Sequence, residues 1–256
     1  MTVFGPDFRA GLVRPLYDAV TVARPTWAVV IFVMLVVVNQ VFQLVFGLGL
    51  GLVISSDAVA GHANLRPFMI GLLPAGLATA GLAWALAHVG GGRPKVVLAL
   101  RFPALGIGGW LVVLLGFLLV LYLVIAVAVS SLSIDTTSKG MVERAMADLA
   151  KDPAYGAMAA GIVIGAPLAE ELTFRGQIFT SLSQTRLGFT GTAVLTSLAW
   201  ASIHLTEPLY AVALIFVMGL ALSTLLIRFG SLWVTFACHA IWNGIYTLAL
   251  LALPQT

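Results

Sequence analysis

Charge is what this sequence has least of. Only 9% of its 256 residues are Asp, Glu, Lys or Arg, against 61% hydrophobic ones, whereas a water-soluble domain carries about 25% charged residues. So few charges cannot cover a water-facing surface, which excludes a soluble globular domain. The mean hydropathy of +1.07 agrees. Cysteine is nearly absent as well. Cys238 stands alone in an apolar run, so no disulfide framework exists. There is no basic patch either. The thirteen Lys and Arg residues are scattered between apolar runs, which excludes a nucleic-acid surface despite the net charge of +3. They read as membrane-topology signals instead. No internal repeat, low-complexity tract or soluble second domain interrupts the pattern, so residues 1–256 read as a single membrane domain.

Long apolar runs are abundant. A hydrocarbon core about 30 Å thick takes roughly 20 residues of helix. On that ruler seven stretches qualify: 27–54, 67–90, 104–132, 155–182, 189–205, 208–227 and 232–253, of which the fifth is short. The expected fold is all-α, a polytopic transmembrane helical bundle of about seven spans (six to eight). Residues 1–24 carry Arg9, Arg14, Arg24, Asp7 and Asp18. They are too charged to span and are expected to lie on the surface as an amphipathic segment. Ala58-Val59-Ala60 resembles a signal cleavage site, but the apolar run before it is far longer than a signal core, so no cleavage is expected.

The basic residues also give an orientation in the cell membrane. A cytoplasmic N-terminus places Arg9, Arg14, Arg24, Arg93, Lys95, Arg101, Arg186 and Arg228 inside. Outside it leaves Arg66, Lys139, Arg144 and Lys151, offset by Asp135, Glu143, Asp148 and Asp152. That bias follows the positive-inside rule. Stretch 139–151 has a helical pattern and is expected along the outer interface.

Few ionisable groups fall within the runs. They are His88, then Glu170, Glu171 and Arg175 in the fourth, His204 in the fifth, and His239 with Asn243 in the seventh. A charge at bilayer depth costs about 2.5–3.5 kcal/mol on insertion scales, so such residues face partners or water and mark function. Glu171 and Arg175 stand four apart, share a helix face and can pair. Glu170, about 100° round the helix, then faces something else. His239 with Asn243 and Trp200 with His204 repeat the spacing. The plainer reading is a buried Glu171–Arg175 pair that fixes helix packing, with the histidines bonded to backbone carbonyls. It serves for any one residue, but three helices that each offer a polar pair point to a shared site in a water-filled cavity.

Several hydrolytic chemistries are marked by what is missing. None of the four histidines is followed by Glu, so H-E-x-x-H is absent. Every aspartate lies outside the runs, against an intramembrane aspartyl pair. Cys238 adjoins His239, but neighbours on a helix do not face each other. Ser202 and Ser231 have no nucleophile motif around them, and His62 and His88 have no polar partner nearby in sequence.

The segment Pro167-Leu168-Ala169-Glu170-Glu171-Leu172-Thr173-Phe174-Arg175-Gly176 resembles the E-E-x-x-x-R motif of the CAAX-protease and bacteriocin-processing (CPBP) family, the Abi or Rce1-like intramembrane proteases. Trp200-Ala201-Ser202-Ile203-His204 is similar to its second motif, F-x-x-x-H, with Trp in place of Phe. His239-Ala240-Ile241-Trp242-Asn243 resembles the last, H-x-x-x-N. Order and spacing agree from about Tyr155 to the C-terminus, and the spans of 1–153 match nothing nameable. The resemblance implies an intramembrane endopeptidase with its catalytic core in 154–256, acting on a membrane protein or lipidated peptide, and His239 and Asn243 as oxyanion donors. The alternative is a catalytically silent scaffold or bacteriocin-immunity protein that binds a partner membrane protein. A small transporter is a third reading, disfavoured because no paired spans of two halves are broken by Gly or Pro.

Amide hydrolysis needs a water, a base and an oxyanion stabiliser. Glu170 with His204 can hold and deprotonate the water. Glu170, His204 and His239 could equally form a His₂Glu set for a divalent metal such as zinc, and both versions stay open.

Overall fold

The computed structural model describes residues 3–18, 28–53, 66–90, 92–132 and 140–252. Arg24, Asp57, Ala58-Val59-Ala60, His62, Asp135 and Lys139 lie outside the described residues. Among the described residues ten helices follow one another: α1 (Pro6–Val13), α2 (Ala28–Val53), α3 (Arg66–Val89), α4 (Pro94–Val97), α5 (Gly106–Leu132), α6 (Met141–Asp148), α7 (Tyr155–Ser183), α8 (Gly188–Ser202), α9 (Leu209–Phe229) and α10 (Leu232–Ala252). The fold is an all-α bundle, with no strand among the described residues.

Among the described residues five helices are long and apolar enough to cross a membrane: Val30–Gly49 within α2, α3, Gly106–Ser131 within α5, α7 and α9. The other two expected runs are also helical. α8 has only 15 residues. α10 has 21, but Thr235, His239, Asn243 and Thr247 make it more polar. The outer face of α5 exposes Ile107, Leu111, Leu115 and Leu119, an apolar stripe that suits lipid and not water.

α7 is wound unevenly. Two stretches, Gly161–Gly165 and Glu171–Ile178, are π-helical, with i→i+5 hydrogen bonding. Pro167 accounts for the first: it has no N–H to give, and its ring crowds the carbonyl four residues back, so the preceding turn widens. α3 and α7 approach at glycines there. A Cβ on Gly76 would lie 2.2 Å from the Gly165 oxygen.

At one end of the bundle the chain folds back inward. After α4 the segment 98–105 runs as irregular backbone beneath the start of α10, turning at Ala99 with φ +49°. It supplies what the first turn of α10 lacks. The Leu232 N–H donates to the Ala99 carbonyl at 2.8 Å, Ser231 Oγ to the Arg101 carbonyl at 2.6 Å, and Trp233 Nε1 to the Leu100 carbonyl at 3.1 Å. Irregular backbone survives at such depth only where protein groups satisfy it.

Residues 5–18 strap the same end, docked more closely than a segment merely lying on the surface. The Gly5 N–H donates to the Leu105 carbonyl and the Leu16 N–H to the Ile227 carbonyl. Asp7 pairs with Arg101, whose other guanidinium nitrogen donates to the Phe229 carbonyl. Tyr17 is buried, and its hydroxyl lies 2.6 Å from Thr180 Oγ1. Thr180 spends its proton on the Val97 carbonyl at 2.7 Å, so Tyr17 is the donor. Burial pushes the Tyr17 hydroxyl up to about 12, so it stays neutral. Gly230, at φ +58°, closes α9 in the left-handed conformation that suits glycine.

The opposite end carries α6, tied down by the pair of Arg66 and Asp152, with Nε to Oδ2 at 2.6 Å and Nη2 to Oδ1 at 3.2 Å. Burial pushes the Asp152 carboxyl up, but the Arg66 hydrogen bonds, the Ala154 N–H and the Arg66 charge outweigh it and hold it below its ordinary value.

Candidate active site

α7, α8 and α10 bring their polar residues together. Glu171 and Arg175, both fully buried on the second π stretch, are joined by Arg175 Nη1 donating to Glu171 Oε1 at 3.0 Å. Arg175 Nη2 donates to the Gly219 carbonyl on α9 at 3.4 Å, and its guanidinium lies 4.4 Å above the centre of the Trp200 ring. His239 donates from Nδ1 to the same Glu171 oxygen, also at 3.0 Å. Glu171 is thus shared between a cation and an imidazole and has no room for substrate.

Glu170 is placed differently. One of its oxygens, Oε2, accepts a hydrogen bond from Trp200 Nε1 at 2.6 Å. His239 Nε2 is 3.8 Å from that oxygen. The Glu170 side chain is 19% exposed where that of Glu171 is 0%. Of the two adjacent carboxylates, Glu170 is the one open to a small molecule.

His204 does not end a helix as the sequence suggests. α8 stops at Ser202, and His204 sits half-buried in the turn that follows. Its Nδ1 is 2.9 Å from the Trp200 carbonyl. A carbonyl only accepts, so Nδ1 carries a proton, and in that tautomer the lone pair is on Nε2. The ring stands edge-on to Trp200 with centroids 5.7 Å apart, and His239 does the same at 5.1 Å.

Asn243 borders the cluster from the next turn of α10, but one of its N–H groups is committed. Nδ2 donates to the Ile162 carbonyl at 2.9 Å, on the first π stretch of α7. The second N–H of that amide is left for another partner.

Counted from the span ends, His239 and Glu170 start at unequal depths, roughly 10 and 18 Å at about 1.5 Å per residue. The recessed start of α10 removes the mismatch. A Cβ on Gly176 would touch the Leu232 side chain, so α10 begins about two turns in from the end of α7, and His239 lies level with the glutamates, Nδ1 at 3.0 Å from Glu171 Oε1.

Residues not expected at the site also have definite places. Ser202 and Ser231 donate to the Ala199 and Arg101 carbonyls, Cys238 is buried, and His88 is exposed at the end of α3. Three features escaped the sequence reading: the Trp200 N–H on Glu170, the Gly219 carbonyl under Arg175, and the Ile162 carbonyl under Asn243. Trp in place of Phe was the only sequence signal of the first.

The donor set for a metal can be checked against this geometry. Both histidines present Nε2 with Nδ1 held by an acceptor, the orientation common in metal-bound imidazoles. Among the described residues, however, no three of His, Cys, Asp and Glu gather closely enough to hold an ion. As arranged, the residues do not fit a metal, and no step below runs through one.

Residues 153–245 match the family model described as type II CAAX prenyl endopeptidase, Rce1-like, while no curated protein and no solved structure matches. The matched stretch contains Glu170, Glu171, Arg175, His204, His239 and Asn243 and leaves the first three spans outside it. Residues 153–245 are thus similar to the Rce1-like type II CAAX prenyl endopeptidases, on a chain whose apolar helices make it a multi-pass membrane protein.

Proposed function

We propose that this protein is an endopeptidase that cleaves a membrane-associated substrate, a membrane protein or a lipidated peptide, with water activated by Glu170. The observation that carries the reading is the unequal treatment of the two glutamates. Glu171 is fully buried, its Oε1 bonded to both Arg175 and His239, while Glu170 is partly exposed and accepts a single hydrogen bond, from Trp200.

Glu170 Oε1 and His204 Nε2 hold a water between them. As its oxygen attacks the carbonyl carbon of the scissile amide, Glu170 takes the proton. The amide π electrons move onto the carbonyl oxygen, and the free N–H of Asn243 donates to that oxyanion, joined by His239 Nε2 when the ring carries a proton there as well, its Nδ1–H being given to Glu171. When the intermediate collapses, the C–N bond breaks and the leaving nitrogen takes the proton from Glu170. Glu171 and Arg175 take no proton; they hold His239 and the second π stretch in place.

The N-terminus is assigned to the cytoplasm. Arg9, Arg14, Arg93, Lys95, Arg101, Arg186 and Arg228 all belong to segments at the strapped end, and Arg66, Arg144 and Lys151 to the other, in keeping with the positive-inside rule. The functional test is direct. Purified protein should cleave quenched membrane peptides, and a chelator should leave the rate unchanged. No cleavage of any lipidated or transmembrane peptide would reject the reading.

A further inference from the structure

We infer that Trp200 is a positioning residue: its indole N–H, and not merely its ring, fixes the Glu170 carboxylate so that Oε1 alone is left for the water. The role rests on the protease reading given above.

Trp200 is 1% exposed and among the largest fully buried side chains. A buried indole has one donor and no acceptor, so it must find an acceptor for that N–H. Here the acceptor is Glu170 Oε2 at 2.6 Å, at the short end for a charge-assisted N–H···O bond. The indole cannot swing away. Arg175 lies over its face at 4.4 Å, and the rings of His204 and His239 stand edge-on at 5.7 and 5.1 Å. It is thus fixed by the residues whose positions matter to the reaction, and it transmits that rigidity to one oxygen of Glu170.

The chemistry gives this a purpose. A glutamate side chain has three rotatable bonds, and a carboxylate that turns freely offers the water either oxygen or neither. Anchoring Oε2 removes that freedom and leaves one defined acceptor for the water, and misplacement of a reacting group by about 1 Å can cost 100-fold in rate. Phenylalanine would fill much of the same space and keep the contacts with Arg175 and both imidazoles, but it has no N–H. The donor is therefore separable from the ring.

Two variants make the separation. Trp200→Phe keeps an aromatic ring; replacement of Trp200 by benzothienylalanine, with sulfur where the indole has N–H, keeps the shape as well. Both should lower kcat ten- to hundred-fold while KM and Tm stay near those of the wild type. The bond itself has a readout independent of turnover. In protein labelled with ¹⁵N at its six indole nitrogens, the resonance absent from Trp200→Phe should lie furthest downfield, and Glu170→Gln should move it upfield. Wild-type kcat in the benzothienyl variant overturns the proposal, as does an indole resonance indifferent to Glu170→Gln. A wild-type protein that cleaves nothing refutes the protease reading and this role with it, while the resonance still tells whether the bond forms. Loss of kcat together with loss of Tm in both variants also counts against it, because a purely structural ring would do the same.

Discussion

Two glutamates adjacent in sequence have opposite environments, and the difference sets the first prediction. Glu171→Gln leaves Arg175 buried without its counter-charge, sharing one neutral amide oxygen with His239. Breaking a buried ion pair costs about 3–5 kcal/mol, so Tm and the yield of folded protein should fall sharply. Glu170→Gln keeps an oxygen for the Trp200 N–H and a partly exposed position, and should melt close to the wild type. Differential scanning fluorimetry in detergent separates the two; equal losses would contradict the assignment of roles. Spacing made the Glu171–Arg175 pair legible, because residues four apart share a face and the π winding does not separate them. The link from Trp200 to Glu170 was not legible, since it joins two helices through a ring nitrogen that no periodicity reveals. Nor was the bond of Asn243 to Ile162, which uses a backbone carbonyl.

Among the elements, α7 is the one whose winding sets the site. Pro167 widens the turn before it, and that turn fixes the rotation at which Glu170 and Glu171 are presented to α10. In Pro167→Ala the turn can return to α-helical winding. The protein should keep or raise its Tm, since proline is a poor helix residue by about 3 kcal/mol, while cleavage falls at least ten-fold because the glutamates rotate away from His239. Retained activity would mean that the widened turn is incidental. The seven apolar runs were readable as helices because each is long and bounded by polar residues. The inward fold of 98–105 and the recessed start of α10 were not, because main-chain carbonyls and small residues make those contacts and hydropathy does not register them. The N-terminal strap belongs with them: its charges marked it as non-spanning, and only its partners Arg101, Ile227 and Thr180 show that it is docked. Arg101→Ala should cost about 1 kcal/mol for the lost bond to the Phe229 carbonyl at the end of α9, read as a small fall in Tm.

For the whole molecule, the Arg66–Asp152 pair fastens α6 at the end away from the strap. Because the folded carboxyl of Asp152 is held below its ordinary value, its stabilisation is complete above about pH 4 and lost only as pH falls further. Between pH 7 and 5, protonation of this carboxyl should therefore not lower Tm, whereas Asp152→Asn should lower it throughout. The orientation has its own check: a reporter fused before Met1 should be active only in a cytoplasmic readout, and the reverse would turn the molecule over. The central claim is that the Glu170 carboxylate activates the water of an intramembrane peptidase. The measurement closest to it is cleavage of a quenched, C-terminally lipidated peptide by proteoliposomes holding the wild type or Glu170→Gln at matched folded content. The wild type should release the fragment and Glu170→Gln should sit at the uncatalysed background; full turnover by Glu170→Gln would contradict the account.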